Sequence, residues 1–504
     1  MRPQLRARRR TDAALGALAV VIVGGVFAVA AVGVTRDADA DALWSSAVWL
    51  GVVLMCGVLA RLAISRLAPR SNEVIFGIVA LLIGLGWVFV ARIDPALARG
   101  HAFAVAAGFA ALVGTLFALR RLDWLLRKPG TCALAAAVGI GLGNFGVGGI
   151  DTSGGVYDPP PLWLALGPLS VQPNAVAKLL IVIAACGLTI TAPRWLPAQL
   201  LPHRHAAGAI VATVGAWTLL VTQGDFALSL VVFAAAWLPL WLDGTEGGSG
   251  NLRVVGLAGR TRALEAVVAT YAAGTAVLTS VYDPLSSQVR HWLDPWTAPG
   301  NAASVEAGFA FSTGGIGGVG PGLGAPERIA GAHSDFVFAV ISEELGILGG
   351  AAVLAAFVLL IGIGAGIAQR ARGTNRLLAV GVTAVLGLQA LLCIAGELRL
   401  LPQTALALPF VAYGPAAMVG SCMLTAVLLG VSDSDVGARL AQGAAAAPPP
   451  APPRSSPERQ RLAPTGELHV PAPPAGPTPT EESTLAHAIE PVTPEPPNDE
   501  LPAS

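Results

Sequence analysis

The chain has 504 residues, of which 54% are hydrophobic and only 12% are charged, whereas a soluble domain carries about 25% charged residues. The formal net charge is zero, so bulk charge gives no argument for nucleic-acid binding. None of the five cysteines forms a CxxC pair, which leaves little support for a disulfide framework or a zinc site. Composition favours a polytopic helical membrane protein over an outer-membrane barrel, which would show alternating strands of about ten residues.

Apolar runs long enough to cross a bilayer, which takes about 20 residues, predict the membrane topology. Twelve such runs start near residues 12, 43, 74, 101, 131, 172, 206, 226, 263, 335, 376 and 409. Five arginines precede the first run, so the positive-inside rule places the N-terminus in the cytoplasm, and no small-residue cleavage site follows. We therefore predict an all-α bundle of about twelve transmembrane helices with both termini cytoplasmic.

Composition also divides the chain into segments. We predict a basic cytoplasmic N-terminus over residues 1–11, two additional N-terminal spans over 12–73, a transmembrane core over 74–431 and a tail over 432–504. The tail is rich in proline and alanine and has no apolar period, so we expect a disordered cytoplasmic segment. We predict that the largest loop on the outer side of the membrane covers residues 283–334, which are called the outer loop below.

A block of ionisable residues marks the start of the tenth run. It reads AHSDFVFAVISEELG over residues 332–346, and a glycine-rich stretch over residues 314–322 precedes it. Because charged side chains in hydrocarbon cost about 2.5 kcal/mol or more each, they usually line a cavity or join a network. We predict that His333, Asp335 and one of the two adjacent glutamates, Glu343 and Glu344, fix the outer loop onto the bundle. Asp335 is also a candidate helix N-cap, and His333, Asp335 and Glu343 are a weaker candidate for a metal site.

Three further polar residues lie in or between apolar runs. Lys178, one of only two lysines, follows Gln172 by six residues inside the sixth run. It either snorkels to the interface or belongs to a buried network or substrate head-group site. Asp225 lies between two runs and is either a turn residue or part of the polar network.

Asp294 is the candidate catalytic residue of the outer loop. It lies in the sequence Trp292-Leu293-Asp294-Pro295-Trp296, where Pro295 disfavours helical geometry at Asp294. The two tryptophans suit the head-group layer. A carboxylate held there could take a proton from a sugar hydroxyl as a general base; the alternative is an aspartate that only precedes a turn.

Several blocks of this chain resemble one known family. AHSDFVFAVISEELG, the glycine-rich stretch before it, LSVQPNAVAK over 169–178 and LLPQTALALPFVAYG over 400–414 are similar to the SEDS family, which includes FtsW, RodA and SpoVE. The resemblance covers roughly residues 74–431, and the two extra N-terminal spans are similar to actinobacterial members of the elongation type. It implies a SEDS-type bundle and a peptidoglycan glycosyltransferase that polymerises lipid II during bacterial cell wall synthesis, cell shape or cell division.

The resemblance also implies partners and site residues. A class B penicillin-binding protein would supply the transpeptidase and activate the polymerase, and a divalent cation (Mg²⁺ or Mn²⁺) would assist departure of the pyrophosphate. Asp294 would be the general base. Lys178, Gln172 and Arg290 would bind the substrate, because phosphate oxygens favour cationic donors.

The outer loop departs from the family pattern, which typically has two Asp-Pro steps with the second aspartate catalytic. Direct alignment places Ala298 at the catalytic position, whereas a gap in the alignment would place Asp294 there. Asn174 and Ala175 also replace the usual Ser and Glu of a second motif. Two alternatives therefore stay open: a scaffold or regulator of a class B penicillin-binding protein that kept the fold without the chemistry, and a lipid II flippase.

Overall fold

The computed structural model describes most of the predicted transmembrane core. The described residues are 40–119, 164–166, 169–171, 214–218, 226–243, 257–281, 283–296, 302–404 and 406–433. The predictions for the basic N-terminus, the first apolar run and the C-terminal tail lie outside these residues.

Long helices account for most of the described residues. They are α1 (Ala40–Leu67), α2 (Glu73–Ile93), α3 (Leu97–Leu119), α4 (Phe226–Asp243), α5 (Leu257–Val281), α6 (Asp283–Leu293), α7 (Ala302–Gly314), α8 (Val337–Arg370), α9 (Thr374–Glu397) and α10 (Pro415–Ser432). Two short strands, β1 (Leu164–Leu166) and β2 (Leu169–Val171), pair antiparallel with Leu164 opposite Val171. A 3-10 turn forms at Pro326–Arg328. The predicted all-α class is confirmed.

Six helices among the described residues are long and apolar enough to cross a membrane. They are Ser45–Leu67, Glu73–Ile93, Leu97–Leu119, Val337–Arg370, Asn375–Glu397 and Pro415–Ser432. They confirm the runs that start near residues 43, 74, 101, 335, 376 and 409. The runs near 226 and 263 are also helical, as α4 and α5. The protein is therefore a multi-pass membrane protein; the runs near 131 and 172 and most of the run near 206 lie outside the described residues.

The limits of α2 follow from its sequence. The side chain of Asn72 accepts a hydrogen bond from the Val74 amide at 3.1 Å, which is the bond that an N-cap residue typically makes. Glu73 in the first turn suits the positive end of the helix dipole. The helix ends at Asp94, whose backbone is extended, because the following Pro95 disfavours helical geometry.

Helix pairs approach closely where one of them carries glycine. A Cβ added at Gly108 of α3 would lie 3.0 Å from both Cys422 and Met418 of α10. A Cβ added at Gly364 of α8 would overlap the side chain of Thr383 in α9. Small residues allow such contacts in lipid, where packing rather than water exclusion holds helices together.

The segment 398–414 returns over the end of α2. Trp87 of α2 is fully buried and donates its indole N–H to the Ala98 carbonyl at 3.2 Å. A Cβ added at Gly86 would overlap the backbone of Val411. This contact fixes segment 398–414 beside the α2–α3 turn, where the polar residues of the candidate site meet.

Candidate functional site

The site is built around a break in α8. Gly346 has φ 71° and ψ −171°, which no helix contains. Beyond the break, the Ile347 amide donates to the Gly315 carbonyl at 2.9 Å and the Leu348 amide to the Ile316 carbonyl at 3.5 Å. The glycine-rich stretch therefore supplies acceptors that a continuous helix would provide itself.

The carbonyls before the break also bond to this stretch. The Glu343 carbonyl accepts from the Val319 amide and the Glu344 carbonyl from the Gly320 amide, both at 3.0 Å. In a continuous helix these two carbonyls would accept from residues four positions later. The glycine-rich stretch is thus inserted into α8 and pinned on both sides of Gly346, so the outer loop and the helix form one unit.

Both glutamate side chains bind the loop. The Oε2 atom of Glu344, a residue only 1% exposed, accepts from the Gly322 amide at 2.7 Å. The Oε2 atom of Glu343, 6% exposed, accepts from the Ala325 amide at 3.2 Å. The prediction that one of the two glutamates fixes the loop is therefore too narrow, because the loop crosses the break and donates amides to both.

Arg92, at the end of α2, contacts the same loop. Its Nη2 atom donates to the Gly322 carbonyl at 2.8 Å and to the Gly324 carbonyl at 3.4 Å. Its Nε atom lies 3.7 Å from Glu344 Oε1, a distance that makes an ion pair rather than a hydrogen bond. Arg92 was not among the residues predicted from the sequence, although a charge that ends an apolar run is a local signal.

The N-terminus of α8 is capped from another helix. The N-cap residue is Phe336, which makes no side-chain cap bond, so the expectation that Asp335 caps the helix is wrong. Instead the Glu397 carboxylate, at the end of α9, accepts from the Ala339 amide at 2.9 Å and from the Phe338 amide. Glu397 is 3% exposed, and a buried carboxylate at the positive end of a helix is well placed.

His333 and Asp335 lie where the outer loop meets segment 398–414. The His333 carbonyl accepts from the Tyr413 amide at 2.8 Å, and the two rings are 5.7 Å apart between centroids. Asp335 Oδ2 accepts from the Ser334 hydroxyl at 3.0 Å, and the Asp335 carbonyl accepts from Gln403 Nε2 at 3.5 Å. These are contacts of the kind that the predicted loop–bundle network requires.

The His333 ring lies in a partly buried cluster with Tyr413 and Asp94. Burial lowers the pKa of His333 below its ordinary value of 6.5, and the charge of Asp94 opposes this effect. Burial, and after it the charge of Asp94, raises the pKa of Tyr413. Tyr413 also packs against the fully buried His101 of α3, with ring centroids 5.6 Å apart. Because burial lowers its pKa, His333 is neutral at pH 7.

Acid is expected to weaken this cluster. Because the pKa of His333 is lower in the folded chain, the unfolded chain binds more protons as the pH falls below about 6.5. The contribution of neutral His333 to the free energy of unfolding is therefore complete above that pH, and it is lost as the pH falls towards the pKa that His333 has in the folded chain. His333→Gln, which does not titrate, should therefore show a flatter dependence of Tm on pH between about 7.5 and 5. Equal slopes for the two proteins would contradict this expectation.

Asp294 and Arg290 lie at the end of α6. The Asp294 amide donates to the Arg290 carbonyl at 2.8 Å and closes the last turn of the helix. Both residues are exposed. The nearby Trp296 ring lies 6.3 Å from the ring of Phe309 in α7, between centroids. The carboxylate therefore lies on the accessible surface of the outer loop; Lys178, Gln172, Asp225 and Ala298 lie outside the described residues.

The described residues do not fit the metal site considered from the sequence. Among them, no group of three His, Cys, Asp or Glu side chains has a geometry that could hold a metal ion. Asp335 accepts a hydrogen bond from the Ser334 hydroxyl, and Glu343 accepts one from the Ala325 amide. No step below is therefore derived through a cation.

These features define a class: a multi-pass helical membrane protein whose glycine-rich outer loop is inserted into a broken transmembrane helix and held by buried glutamates. The family described as cell cycle protein (FtsW/RodA/SpoVE) matches residues 149–436. The chain belongs to this FtsW/RodA/SpoVE family, as its motifs predicted.

Relatives match over most of their length. The peptidoglycan glycosyltransferase RodA of Mycobacterium tuberculosis (strain ATCC 25618 / H37Rv) is 29% identical over 453 residues, which cover 85% of this chain and 92% of the relative. The probable peptidoglycan glycosyltransferase FtsW of Nitrosococcus halophilus (strain Nc4) is 30% identical over 395 residues, which cover 74% of this chain and 94% of the relative. A solved chain from work on a peptidoglycan synthase complex that coordinates polymerization and crosslinking is 24% identical, with TM-score 0.53 over 72% of this chain and 98% of that chain. The fold is therefore shared.

Proposed function

We propose that this protein is a peptidoglycan glycosyltransferase that polymerises lipid II into glycan strands. The observation that carries the proposal is the extent of the match to two relatives that bear this name, over 92% and 94% of their lengths. A match of that extent includes both the transmembrane bundle and the outer loop. The insertion of the glycine-rich stretch into α8 supports the proposal, because it fixes the exposed residues of the outer loop to a transmembrane helix.

The chemistry proposed for Asp294 is general-base catalysis. Its carboxylate takes the proton from the acceptor sugar hydroxyl, and the hydroxyl oxygen forms the new bond to the anomeric carbon of the donor sugar. The bond from that carbon to the lipid pyrophosphate breaks, and the pyrophosphate leaves with the electron pair. Arg290 and Lys178 are proposed to bind the pyrophosphate charge, and Gln172 to donate a hydrogen bond to the substrate.

Asp294→Asn is expected to lower kcat for lipid II polymerisation by about 10²–10⁴-fold, because the amide cannot accept the proton. The measurement uses radiolabelled lipid II and the purified full-length protein with its transpeptidase partner, with the glycan strands resolved on gels. Glu306→Gln, which neutralises another outer-loop carboxylate, is the matched control and should stay active. Normal polymerisation by Asp294→Asn would exclude this role; an inactive wild type, under conditions in which a typical relative works, would count against the function itself.

A class B penicillin-binding protein is the proposed partner, and the likeness to a chain of a peptidoglycan synthase complex supports it. The proposed topology has the outer loop outside the cell and both termini in the cytoplasm, in the bacterial inner membrane. The alternation of basic and acidic loops supports this orientation. A divalent cation at the pyrophosphate stays a proposal from the family resemblance alone.

One sequence feature favours a second candidate, a scaffold that has lost the chemistry. Ala298 aligns directly with the family's catalytic aspartate. On this alternative, Asp294→Ala leaves cell wall synthesis intact, while deletion of the protein delocalises a transpeptidase. A flippase would differ from both, because lipid II scrambling in liposomes would persist in Asp294→Ala.

A further inference from the structure

Arg399 has a backbone conformation that residues other than glycine seldom adopt. Its φ is 58°, and it comes directly after Leu398, the C-cap of α9. Its amide donates to the Gly396 carbonyl at 2.9 Å, and the Leu400 amide donates to the Ala395 carbonyl at 2.8 Å. Glycine is the usual residue at this point of a helix end. A side chain kept in an unfavourable backbone region indicates a contact that glycine could not make.

That contact is a pair of reciprocal hydrogen bonds with Trp292. The Nη2 atom of Arg399 donates to the Trp292 carbonyl at 2.9 Å. In return, the indole Nε1 of Trp292 donates to the Arg399 carbonyl, also at 2.9 Å. The left-handed backbone of Arg399 sets the direction of this carbonyl, so the backbone conformation and the paired bonds form one arrangement.

The paired bonds connect the candidate base to the transmembrane bundle. On one side, Trp292 lies in the last turn of α6, and the amide of Asp294, two residues later, bonds to the Arg290 carbonyl in that same turn. On the other side, Arg399 lies two residues after Glu397, whose carboxylate is fixed to the N-terminus of α8. A continuous chain of hydrogen bonds and short backbone segments thus leads from α8 to Asp294.

We propose that Arg399 is a positioning residue that acts through Trp292 to hold the end of α6, and with it the Asp294 carboxylate, in one place relative to the bundle. The proposal rests on the function proposed for Asp294. Without the paired bonds, α6 remains a helix, but its carboxylate occupies a wider range of positions. Fewer bound substrates then meet the base in a productive geometry, so kcat falls while KM changes little.

Arg399→Gly separates this role from a merely structural one. Glycine suits the left-handed backbone but removes the arginine side chain and with it the bond to the Trp292 carbonyl; relief of the backbone strain offsets the lost bond, so the variant should unfold close to the wild-type temperature. Its kcat for lipid II polymerisation should nevertheless fall about tenfold or more, with KM within about twofold. Amide hydrogen exchange should become faster over residues 283–296 and stay unchanged over 374–397. Arg399→Lys, which keeps one cationic donor, should recover part of the loss.

Two further variants serve as controls. Trp292→Phe removes the indole donor but leaves the carbonyl acceptor. It should therefore speed amide exchange over residues 283–296 and lower kcat, both to a smaller extent than Arg399→Gly. Arg372→Gly replaces an exposed arginine near the other end of α9 and should leave exchange over 283–296 and kcat unchanged.

The outcomes distinguish this proposal from the proposed function. If Arg399→Gly keeps wild-type exchange over 283–296, or keeps its kcat within about twofold while Asp294→Asn is inactive, the positioning role is overturned and the proposed function stands. If Asp294→Asn polymerises normally, the role of Asp294 fails and the positioning role fails with it.

Discussion

Arg92→Ala is expected to lower the free energy of unfolding by about 3 kcal/mol, because removing this half-buried arginine leaves the buried Glu344 carboxylate without its counter-charge. Glu344 is 1% exposed at its side chain, and its Oε1 atom lies 3.7 Å from Arg92 Nε. The substitution also removes the donor that binds the carbonyls of Gly322 and Gly324. Denaturant titration of the full-length protein in detergent measures the change.

A double-mutant cycle tests whether the ion pair is the cause. Glu344→Gln removes the charge but keeps an acceptor for the Gly322 amide, so Arg92→Ala should cost about 2 kcal/mol less in that background. The control is Arg99→Ala, which removes an exposed arginine whose guanidinium lies 5.8 Å from the centre of the Phe103 ring; it should cost about 0.5–1 kcal/mol. Strictly additive effects of Arg92→Ala and Glu344→Gln would show that the two residues act independently.

Gly346→Ala is expected to prevent normal folding of the outer loop. The φ of 71° and ψ of −171° belong to a region that is essentially restricted to glycine, which alone costs another residue about 1–3 kcal/mol. An added Cβ would in addition overlap the Ile316 carbonyl oxygen and the Gly318 amide nitrogen. Because both atoms are backbone, they cannot rotate away. The yield of monodisperse protein and its Tm report the result.

Gly362→Ala is the matched control for Gly346→Ala. Gly362 lies in the same helix, and a Cβ added there would meet nothing within 4 Å. Alanine is a better helix former than glycine by about 1 kcal/mol, so this variant should fold at least as well as the wild type. If Gly346→Ala behaved in the same way as Gly362→Ala, the inserted loop could not depend on a glycine in that position.

The transmembrane helices among the described residues could be predicted because their signals are local. An apolar run with Asn72 before it and Pro95 after it defines α2 within its own sequence. The break in α8 could not be predicted in this way, since ISEELGILGG continues an apolar run and one glycine inside a helix costs only about 1 kcal/mol. The break depends on bonds to a loop that precedes the helix.

The outer loop contains two helices, α6 and α7, that the hydropathy pattern did not indicate.

The candidate site was predicted in part, for a related reason. His333, Asp335, Glu343 and Glu344 were conspicuous because ionisable residues are rare in apolar runs. Arg92 was missed because its role depends on Gly322, 230 positions later in the chain. The roles of Glu397 and Arg399 likewise depend on residues that lie 58 and 107 positions away. Distant pairings of this kind leave no trace in the periodicity of a single sequence.

The carboxylate of Glu397 has a consequence for anion binding at the N-terminus of α8. A free helix N-terminus, with its outward amides and partial positive charge, is a ready-made phosphate site. At α8 the amides of Phe338 and Ala339 already bind a carboxylate of the protein itself. Diphosphate brought to this end of α8 would meet an internal anion that occupies the place before it. On the proposed function, we therefore expect the diphosphate of a lipid substrate to be bound by cationic side chains, such as the exposed Arg290, and not by the N-terminus of α8.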